Sequence, residues 1–472
     1  MADQLPELER AYFEALSYRL DQSGRDCAPD RTYREMRELF REPLPETGCE
    51  GTEVIRGLAQ KGADGLTGMT HPRFFGWVLG GSAPVGVAAD WLVSAWGQNA
   101  AFHASSPTAA AVEEIAGEWL LDILDLPREA AVGFVTGGTV GNFTALAAAR
   151  SAVLKKHGWN SDRDGLFGAP PVRIFVGDDA HTSVFSVLGY LGFGRERVCR
   201  IATDLQGRMN AEDLQRKISA SSGPKIVIAQ AGQINTGAFD PFDQLIKVAR
   251  SAGAWVHVDG AFGMWSRAHP AYRHLTEGVE NADSWSVDGH KWLQTPFDSG
   301  YSIVRDGTAL ETAMGIDASY LPPRNEGDRI PAFLVPELSR RARGIPTWAM
   351  LKHLGRDGVR ELVGRHCSVA RQIANRLQRV KGIRILNDVV LNQVVVAFGN
   401  PGLPADIRQE MTVEVIERLQ ESGTMFVSGG RWRGEWIMRL SVTCNATQQA
   451  DADPVADVIE SVWADLAEAK GL

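Results

Sequence analysis

The chain has no long hydrophobic run, although 44% of its 472 residues are hydrophobic. No apolar stretch reaches the roughly 18 residues from which a membrane-crossing helix is recognised. The first residues include acids where a signal peptide carries a basic flank and an apolar segment. The sequence therefore predicts a cytoplasmic protein with no membrane partner.

Positive charge and paired cysteines are also scarce. The 49 lysines and arginines are outnumbered by 58 aspartates and glutamates, which gives a net charge of -9. No basic block is long enough to follow a phosphate backbone, so no nucleic-acid partner is expected. The five cysteines are scattered and form no C-x-x-C pair, so neither a disulfide framework nor a metal site is predicted.

Strand-like and helix-like segments alternate through the middle of the chain. Short apolar runs that end in glycine, aspartate or a polar turn lie at 132–135, 172–176, 225–229 and 254–258. Helical patterns separate these runs. This alternation predicts an α/β fold, with a mostly parallel sheet covered by helices on both faces.

The chain is longer than one hydrophobic core usually covers, so more than one unit is expected. Residues 315–346 hold five prolines and are long for a connection, which indicates a functional loop. A long, kinked helix is predicted after this loop. The expected division is a helical segment at 1–72, a large domain at 73–346 and a small C-terminal α+β domain at 347–472.

A lysine and an aspartate follow predicted buried strands. Asp259 ends the run Val256-His-Val-Asp259, and Lys291 lies in His290-Lys291-Trp292. Considered alone, Lys291 would be interpreted as a solvated side chain. Asp259 alone would be interpreted as the hydrogen-bond partner of a loop amide. At the shared carboxyl edge of parallel strands they suit pyridoxal 5'-phosphate (PLP). The lysine amine can form a Schiff base, and the aspartate can keep the pyridine nitrogen protonated.

A glycine-rich turn, Thr136-Gly137-Gly138-Thr139-Val140-Gly141-Asn142, lies between a predicted strand and an alanine-rich helix. Backbone N–H groups at such a helix start can bind an anion, although many α/β turns look similar. Its spacing is neither the G-x-G-x-x-G dinucleotide pattern nor a P-loop. This argues against a nicotinamide-dependent oxidoreductase.

Four further residues have an ordinary and a functional interpretation. His181 closely follows a strand, and it either caps the next helix or stacks on a cofactor ring. Tyr320 lies on the proline-rich loop, where an exposed tyrosine is usually incidental. Asn99 and His103 either line a pocket or cap the following helix.

Taken in order, these segments resemble the group II PLP-dependent decarboxylases, which include the aromatic amino acid and glutamate decarboxylases. The resemblance runs from His71-Pro-Arg-Phe-Phe75 to about Asn445. Its strongest parts are 256–261, 290–292 and Asp317-Ala-Ser-Tyr320-Leu321. The resemblance implies a fold type I homodimer with a seven-stranded, mostly parallel sheet and with PLP bound at the subunit interface.

The resemblance also implies roles for individual residues around the cofactor. Lys291 would hold PLP as a Schiff base, and Asp259 would pair with the pyridine nitrogen. His181 would stack on one face of the ring, with Ala261 on the other. Tyr320 would deliver a proton to the substrate carbon after CO2 leaves.

Gly138 and Thr139 would contact the phosphate of PLP, with His290 nearby. The chain departs from the family here, because Gln233-Ile234 replaces a threonine pair. A threonine contact to the cofactor is therefore missing, or is replaced by Asn235 or Thr236.

A second departure is Asp288, which stands where asparagine is often found three residues before the lysine. It would place a like charge near the phosphate unless it turns away. Candidate substrate-pocket residues are Gly80, Gly81, Asn99 and His103. They predict a polar or open pocket, which disfavours a large aromatic substrate.

The sequence thus predicts PLP-dependent decarboxylation of an L-amino acid to the amine and CO2. Alternatives within PLP chemistry are an aldehyde synthase, an aminotransferase or a carbon–carbon lyase, and Tyr320 favours decarboxylation among them. A non-catalytic PLP-binding regulator would need a DNA-binding module, and the chain has no basic one. The substrate is not identified at this level.

Overall fold

The structure is a computed structural model, and it describes residues 5–22, 24–316 and 329–471. Its main sheet is built from β1 (Ala131–Val135), β2 (Arg173–Gly177), β3 (Cys199–Ile201), β4 (Lys225–Gln230), β5 (Trp255–Asp259), β6 (Ser284–Asp288) and β7 (Gly300–Val304). The order across the sheet is β1-β7-β6-β5-β4-β2-β3.

Strand direction in this sheet is parallel except at β7. That strand runs antiparallel to both of its neighbours, β1 and β6. The pairs from β6 to β3 are all parallel. β5 and β6 are buried at every position, as expected for strands covered on both faces. The predicted α/β class and the seven-stranded, mostly parallel sheet are confirmed.

Helices cover both faces of the sheet. They are α4 (Pro84–Trp96), α5 (Pro107–Ile123), α6 (Gly138–Lys155), α7 (Ser161–Asp164), α8 (Thr182–Tyr190), α9 (Ala211–Ser219), α10 (Phe242–Ser251) and α11 (Gly307–Met314). The core between α6, α8, α11 and the sheet includes Ile174 and Val176 of β2. Phe175, between them, points to the opposite core, which includes α5 and α10. The period-2 alternation of strand side chains therefore serves two hydrophobic layers.

A smaller antiparallel sheet follows in the last quarter of the chain. Its strands are β8 (Ile383–Ile385), β9 (Gln393–Phe398), β10 (Ser428–Trp432) and β11 (Glu435–Ser441), in the order β10-β11-β9-β8. The helices α13 (Ala405–Glu421) and α14 (Ala452–Ala469) pack against it around a separate core. This matches the small α+β unit expected from the sequence.

One long helix, α12 (Gly344–Leu377), belongs to both cores. It is kinked at Gly355, whose φ of 57° is readily adopted by glycine. Before the kink, Met350 and Leu351 pack in the large core, and towards the end of α12 Leu377 packs in the small one. The predicted domain boundary between residues 346 and 347 falls within this helix.

The N-terminal helices pack differently from the rest. They are α1 (Pro6–Leu20), α2 (Tyr33–Phe40) and α3 (Gly51–Gly62), and within these three helices no residue is buried. Large apolar side chains are exposed on α1 and on the nearby α4, namely Leu5, Leu8, Tyr12, Phe13, Leu16, Leu20, Trp91, Leu92 and Trp96.

Two smaller observations complete the fold. Ser106 precedes α5 but its side chain makes no capping bond; its hydroxyl donates instead to Oε1 of Gln98, 3.2 Å away. Pro107 is the first residue of that helix, as predicted. None of the helices in the described ranges is long and apolar enough to cross a bilayer.

Candidate active site

A cavity of about 320 Å³ lies at the carboxyl edge of the main sheet. Strands β4, β5 and β6 end there in Gln230, Asp259 and Asp288, and all three side chains line it. The sequence-predicted residues that the structure brings together in this cavity are Gly138, Thr139, His181, Asp259, Ala261, His290 and Lys291. Parallel strands thus gather side chains from distant parts of the chain, as expected for this class of sheet.

Lys291 lies on the short turn after β6. Its side chain is 17% exposed, and its Nζ lies 3.0 Å from Oδ2 of Asp288. The Phe262 ring centroid is 6.0 Å from the same nitrogen. The amine is therefore held at the cavity wall, reachable from the cavity and shielded from most of the solvent.

Asp259 is 6% exposed and has two hydrogen-bond donors. The side-chain amide of Asn142 donates to its Oδ2 at 3.1 Å, and the backbone N–H of Ala261 donates to its Oδ1 at 3.3 Å. A buried carboxylate requires such partners. Asp259 therefore has the loop amide partner that the sequence offered as one alternative. It also lines the same cavity as Lys291, as the other alternative requires.

The glycine-rich turn forms the N-terminus of α6, where the first N–H groups have no partners within the helix. β7 passes so close that a Cβ on Gly300 would lie 2.5 Å from Cα of Gly137. The carboxylate of Asp288 lies against this turn, because a Cβ on Gly138 would come within 3.3 Å of its Oδ2. Oδ1 of Asp288 is buried without a hydrogen-bond partner in the described structure.

His181 caps the next helix, which is one of its two predicted roles. It is the N-cap of α8, where its Nδ1 accepts a hydrogen bond from the Ser183 backbone N–H. It also lines the cavity, and its backbone N–H donates to Oε1 of Gln230 at 3.1 Å. Burial lowers the pKa of His181, the nearby Lys291 charge lowers it further, and Asp259 opposes both. The imidazole is therefore neutral at neutral pH.

His290 is oriented by the loop that precedes β7. Its Nδ1 accepts a hydrogen bond from the Ser299 backbone N–H at 3.2 Å, and its ring packs on Phe297 with centroids 4.7 Å apart. Burial lowers the pKa of His290, although Asp288 counteracts this effect. Because Nδ1 accepts, the remaining proton of the neutral ring lies on Nε2, which is 3.8 Å from Asp288.

Gln233 explains one departure from the family pattern. Its Oε1 accepts hydrogen bonds from the backbone N–H groups of Asn235 (2.6 Å) and Thr236 (3.0 Å). The Thr236 hydroxyl donates to the carbonyl of Gln206. Ile234 lines the cavity, whereas Asn235 and Thr236 are not among the lining residues. The Gln233 side chain therefore stabilises the turn itself.

Gly80 and Gly81 lie behind the lysine. The N–H of Gly80 donates to the carbonyl of His290 at 2.9 Å, and a Cβ on Gly80 would lie 2.2 Å from the carbonyl oxygen of Lys291. The N–H of Gly81 donates to Oε1 of Gln294 at 2.7 Å. Gly80 permits this close approach of backbone to the lysine turn, whereas a Cβ on Gly81 would lie 2.5 Å from Oδ1 of Asn445 and Sγ of Cys444. Neither glycine lines the cavity.

Two other predicted residues, Asn99 and His103, lie outside this cavity. Asn99 is exposed, and its Oδ1 accepts a hydrogen bond from the Arg340 backbone N–H. His103 lies on the same segment after α4, and neither residue lines the cavity of its own chain. Tyr320 falls outside the described residues.

The sequence interpretation missed Asn142 and Arg439. Asn142 was noted only as the start of a helix. Arg439 of β11 is largely buried, its guanidinium donates to Oδ1 of Asn235 at 3.1 Å, and its charge acts on His181. Burial lowers the pKa of Arg439 to about 10. Within the described residues no carboxylate forms an ion pair with it.

Comparison with known proteins identifies the family. The family model described as the pyridoxal-dependent decarboxylase conserved domain matches residues 34–398. The chain belongs to the pyridoxal-dependent decarboxylase family. The predicted family is confirmed, and so are the enzyme class, a PLP-dependent carboxy-lyase acting on an amino acid, and its cofactor.

Named relatives of this decarboxylase differ in their substrates. An aromatic-L-amino-acid decarboxylase of Bacillus atrophaeus is 27% identical, over 92% of this chain and 89% of the relative. An acidic amino acid decarboxylase of Mus musculus is 25% identical, over 92% and 80%. A cysteine sulfinic acid decarboxylase of Rattus norvegicus is 27% identical, over 84% and 83%.

Solved structures share the fold of the decarboxylase over nearly its whole length. Oryza sativa TDC, solved with PLP and tryptamine, has a TM-score of 0.91 at 21% identity and covers 99% of both chains. The 4-hydroxyphenylacetaldehyde synthase of Rhodiola rosea has a TM-score of 0.88 at 21% identity, over 99% of this chain and 98% of the other.

The cavity of the decarboxylase fits PLP at three points. Lys291 offers an amine at the wall, and Asp259 offers a carboxylate at the end of the neighbouring strand. The N-terminus of α6 offers backbone N–H groups suited to a phosphate. Asp288 is the one element of poor fit, since its buried carboxylate lies against that same turn.

Proposed function

We propose that Lys291 carries the cofactor of this amino-acid decarboxylase and that the residues around it bind and orient both cofactor and substrate. The observation that carries this proposal is the placement of the Lys291 amine and the Asp259 carboxylate in one cavity beside the N-terminus of α6. When bound, PLP supplies an aldehyde for an amine and a ring that accepts the electrons left by departing CO2.

Each residue then has a task set by its position. Asp259 would accept a charge-assisted hydrogen bond from the protonated pyridine nitrogen and so keep the proton on that nitrogen. Gly138 and Thr139 present N–H groups to the phosphate, with His290 close by. His181 and Ala261 would lie on the two faces of the ring.

Arg439 suits the α-carboxylate of the substrate. It is a largely buried guanidinium that donates to Asn235 and has no carboxylate partner in the described part of the chain. It is not among the residues that line the cavity, but its charge lowers the pKa of His181 there. A desolvated arginine binds a carboxylate in a short, directional pair. Tyr320 is proposed to return a proton to the substrate carbon, the step that yields an amine.

The working enzyme is proposed to be a homodimer. Exposed apolar side chains of α1 and α4 form a surface of the kind that a second copy covers. Asn99 and His103 lie on the segment that follows α4, outside the cavity of their own chain. In a dimer built through this surface they would line the partner's cavity, which places each site at the interface.

Borohydride reduction followed by peptide mass spectrometry tests the attachment. The holoenzyme is expected to carry one reduced PLP per chain on the peptide that contains Lys291. Lys291→Ala should lose this label, whereas Lys247→Ala, at a surface lysine of α10, should keep it. A label on another lysine, or retention of the label in Lys291→Ala, would refute the assignment.

A further inference from the structure

A buried chain of hydrogen bonds runs from the back of the main sheet to Asp259. It joins side chains of β5, β6 and α6, all fully buried apart from its two ends, Trp255 and Asp259. Trp255 Nε1 donates to Ser284 Oγ at 2.9 Å, and Ser284 Oγ lies 2.9 Å from Nδ1 of His257. His257 Nε2 lies 2.8 Å from Oδ1 of Asn142, whose Nδ2 donates to Asp259.

The donor and acceptor of every hydrogen bond in this chain follow from its two end residues, Trp255 and Asp259. An indole N–H only donates and a carboxylate only accepts. Asn142 must therefore turn its amide NH2 to Asp259, because the opposite orientation would place two acceptor oxygens 3.1 Å apart. Its Oδ1 then needs donors, which are the Nε2–H of His257 and the hydroxyl of Ser286 at 2.5 Å.

His257 can act as such a donor only in one tautomer. Complete burial lowers its pKa to about 3, so the ring is neutral at neutral pH and carries a single proton. With that proton on Nε2, Nδ1 accepts from the Ser284 hydroxyl, and Ser284 accepts from Trp255. Each side chain has one orientation that satisfies both neighbours.

We propose that Asn142 and His257 are positioning residues for Asp259: the His257 Nε2–H sets the Asn142 amide, which sets the carboxylate that faces the pyridine nitrogen. Neither residue needs to touch the substrate. Asn142 supplies a donor that stabilises the Asp259 carboxylate in one rotamer, and His257 prevents the amide from turning over. The inference rests on the proposed role of Asp259 towards the cofactor.

The sharpest variant is Asn142→Leu, which keeps the approximate size of the side chain and adds no second acid beside Asp259. It removes the donor to Asp259 together with the acceptor for His257 and Ser286. The holoenzyme, reconstituted with PLP labelled with ¹⁵N in the ring, is measured by NMR. The ring nitrogen should be protonated in the wild type and should lose proton occupancy in Asn142→Leu.

Turnover should follow the same order. A hydrogen bond to a charged group accounts for a change of about 10- to 100-fold, so kcat should fall by that factor while KM changes little. The matched control is Thr144→Val on the same helix, since Thr144 is also fully buried and its hydroxyl has no partner in the described structure. Its ring-nitrogen signal and kcat should stay at the wild-type values.

A second pair of variants tests the same inference if Asn142→Leu fails to fold. His257→Gln retains an N–H donor that can reach Asn142, whereas His257→Leu does not. The glutamine variant should restore most of the ring-nitrogen protonation and kcat that the leucine variant loses. In the wild type, ¹⁵N NMR should show the neutral Nε2–H tautomer of His257 at pH 7.

The outcomes separate this inference from the proposed function. If borohydride fixes no PLP on wild-type Lys291, the proposed function fails first. If PLP is fixed there but Asn142→Leu, or both His257 variants, keep a protonated ring nitrogen and kcat within about twofold, the positioning role is overturned.

Discussion

The carboxylate of Asp288 lies 3.0 Å from the amine of Lys291 and 3.8 Å from Nε2 of His290. It is also 2% exposed and packed against the turn that suits a phosphate. One buried acid therefore faces both the amine that must react and the anion that must bind. We therefore expect the charge of Asp288 to influence the affinity for PLP.

Asp288→Asn is expected to tighten PLP binding by about tenfold or more. At an effective dielectric constant of about 20, like charges roughly 5 Å apart repel by about 3 kcal/mol. Absorbance titration of cofactor-depleted protein measures the dissociation constant. Asp298→Asn is the control, since Asp298 pairs with Arg343 and is 41% exposed. Equal or weaker binding in Asp288→Asn would show that its charge does not oppose the phosphate.

Arg439→Met is expected to raise KM by about 10- to 100-fold, because truncating one partner of a buried charge pair costs about 2 kcal/mol or more. Steady-state kinetics with the best amino-acid substrate provide the measurement. Arg431→Met, at an exposed position of β10, serves as the control. An unchanged KM would remove Arg439 from the substrate site.

His366 should make the protein less stable in acid. Its Nδ1 accepts from Trp292 and its Nε2 donates to the Cys444 carbonyl, so the folded state holds it neutral. Burial lowers its pKa from 6.5 to about 3. Below pH 6.5 the unfolded chain binds one proton more than the folded chain, so stability falls as pH falls towards 3.

The test compares His366→Gln with the wild type by chemical denaturation at several pH values. The wild type should lose stability more steeply below pH 6.5, by about 1.4 kcal/mol per pH unit. His274→Gln, at an exposed position, should retain the wild-type slope. Parallel curves for His366→Gln and the wild type would contradict the argument.

Tyr320→Phe is expected to separate CO2 release from amine formation. Without its hydroxyl proton, the carbon left by CO2 is protonated less often, so the yield of amine per CO2 should fall. Chromatography of amine and carbonyl products, alongside CO2 measurement, gives this ratio. Tyr190→Phe, at an exposed tyrosine, is the control. A constant ratio of amine to CO2 in Tyr320→Phe would assign the proton to another group.

The double variant Leu8→Asp with Phe13→Asp should weaken the proposed dimer. Both side chains are more than half exposed on α1, and charges there would be buried by a second copy. Light scattering should give twice the chain mass for the wild type and a lower, concentration-dependent mass for the variant. Ser17→Asp adds charge to the same helix and should remain dimeric. A wild-type mass equal to that of one chain would refute the proposed dimer.

The site residues that lie at or just after strand ends could be predicted from the sequence. Asp259 and Lys291 each follow a buried strand, and parallel strands end at one edge, so their meeting could be expected. The glycine turn before α6 was predictable for the same reason. Its position beside β7, where Gly300 passes Gly137, was not, because an antiparallel insertion leaves no mark in a pattern of apolar runs.

The side chains behind the site were beyond sequence reasoning. In the sequence, Asn142 is only the last residue of a glycine-rich turn. Its role is indicated only by its contact with His257, 115 positions away. Gln233 was recognised as a departure, but its side chain caps a local turn rather than entering the cavity. Arg439 belongs to the small domain, and a strand pattern does not indicate which cavity a distant strand approaches.

The antiparallel strand β7 has a consequence for biosynthesis. The phosphate turn follows β1, yet β1 joins the sheet only through β7, which is made about 165 residues later. A growing chain that ends before β7 has its lysine but lacks the strand that joins β1 to the sheet. Contacts of such long sequence separation form slowly. We therefore expect only chains in which β1 has paired with β7 to retain PLP tightly. PLP would then stabilise a late stage of folding in addition to its part in the reaction.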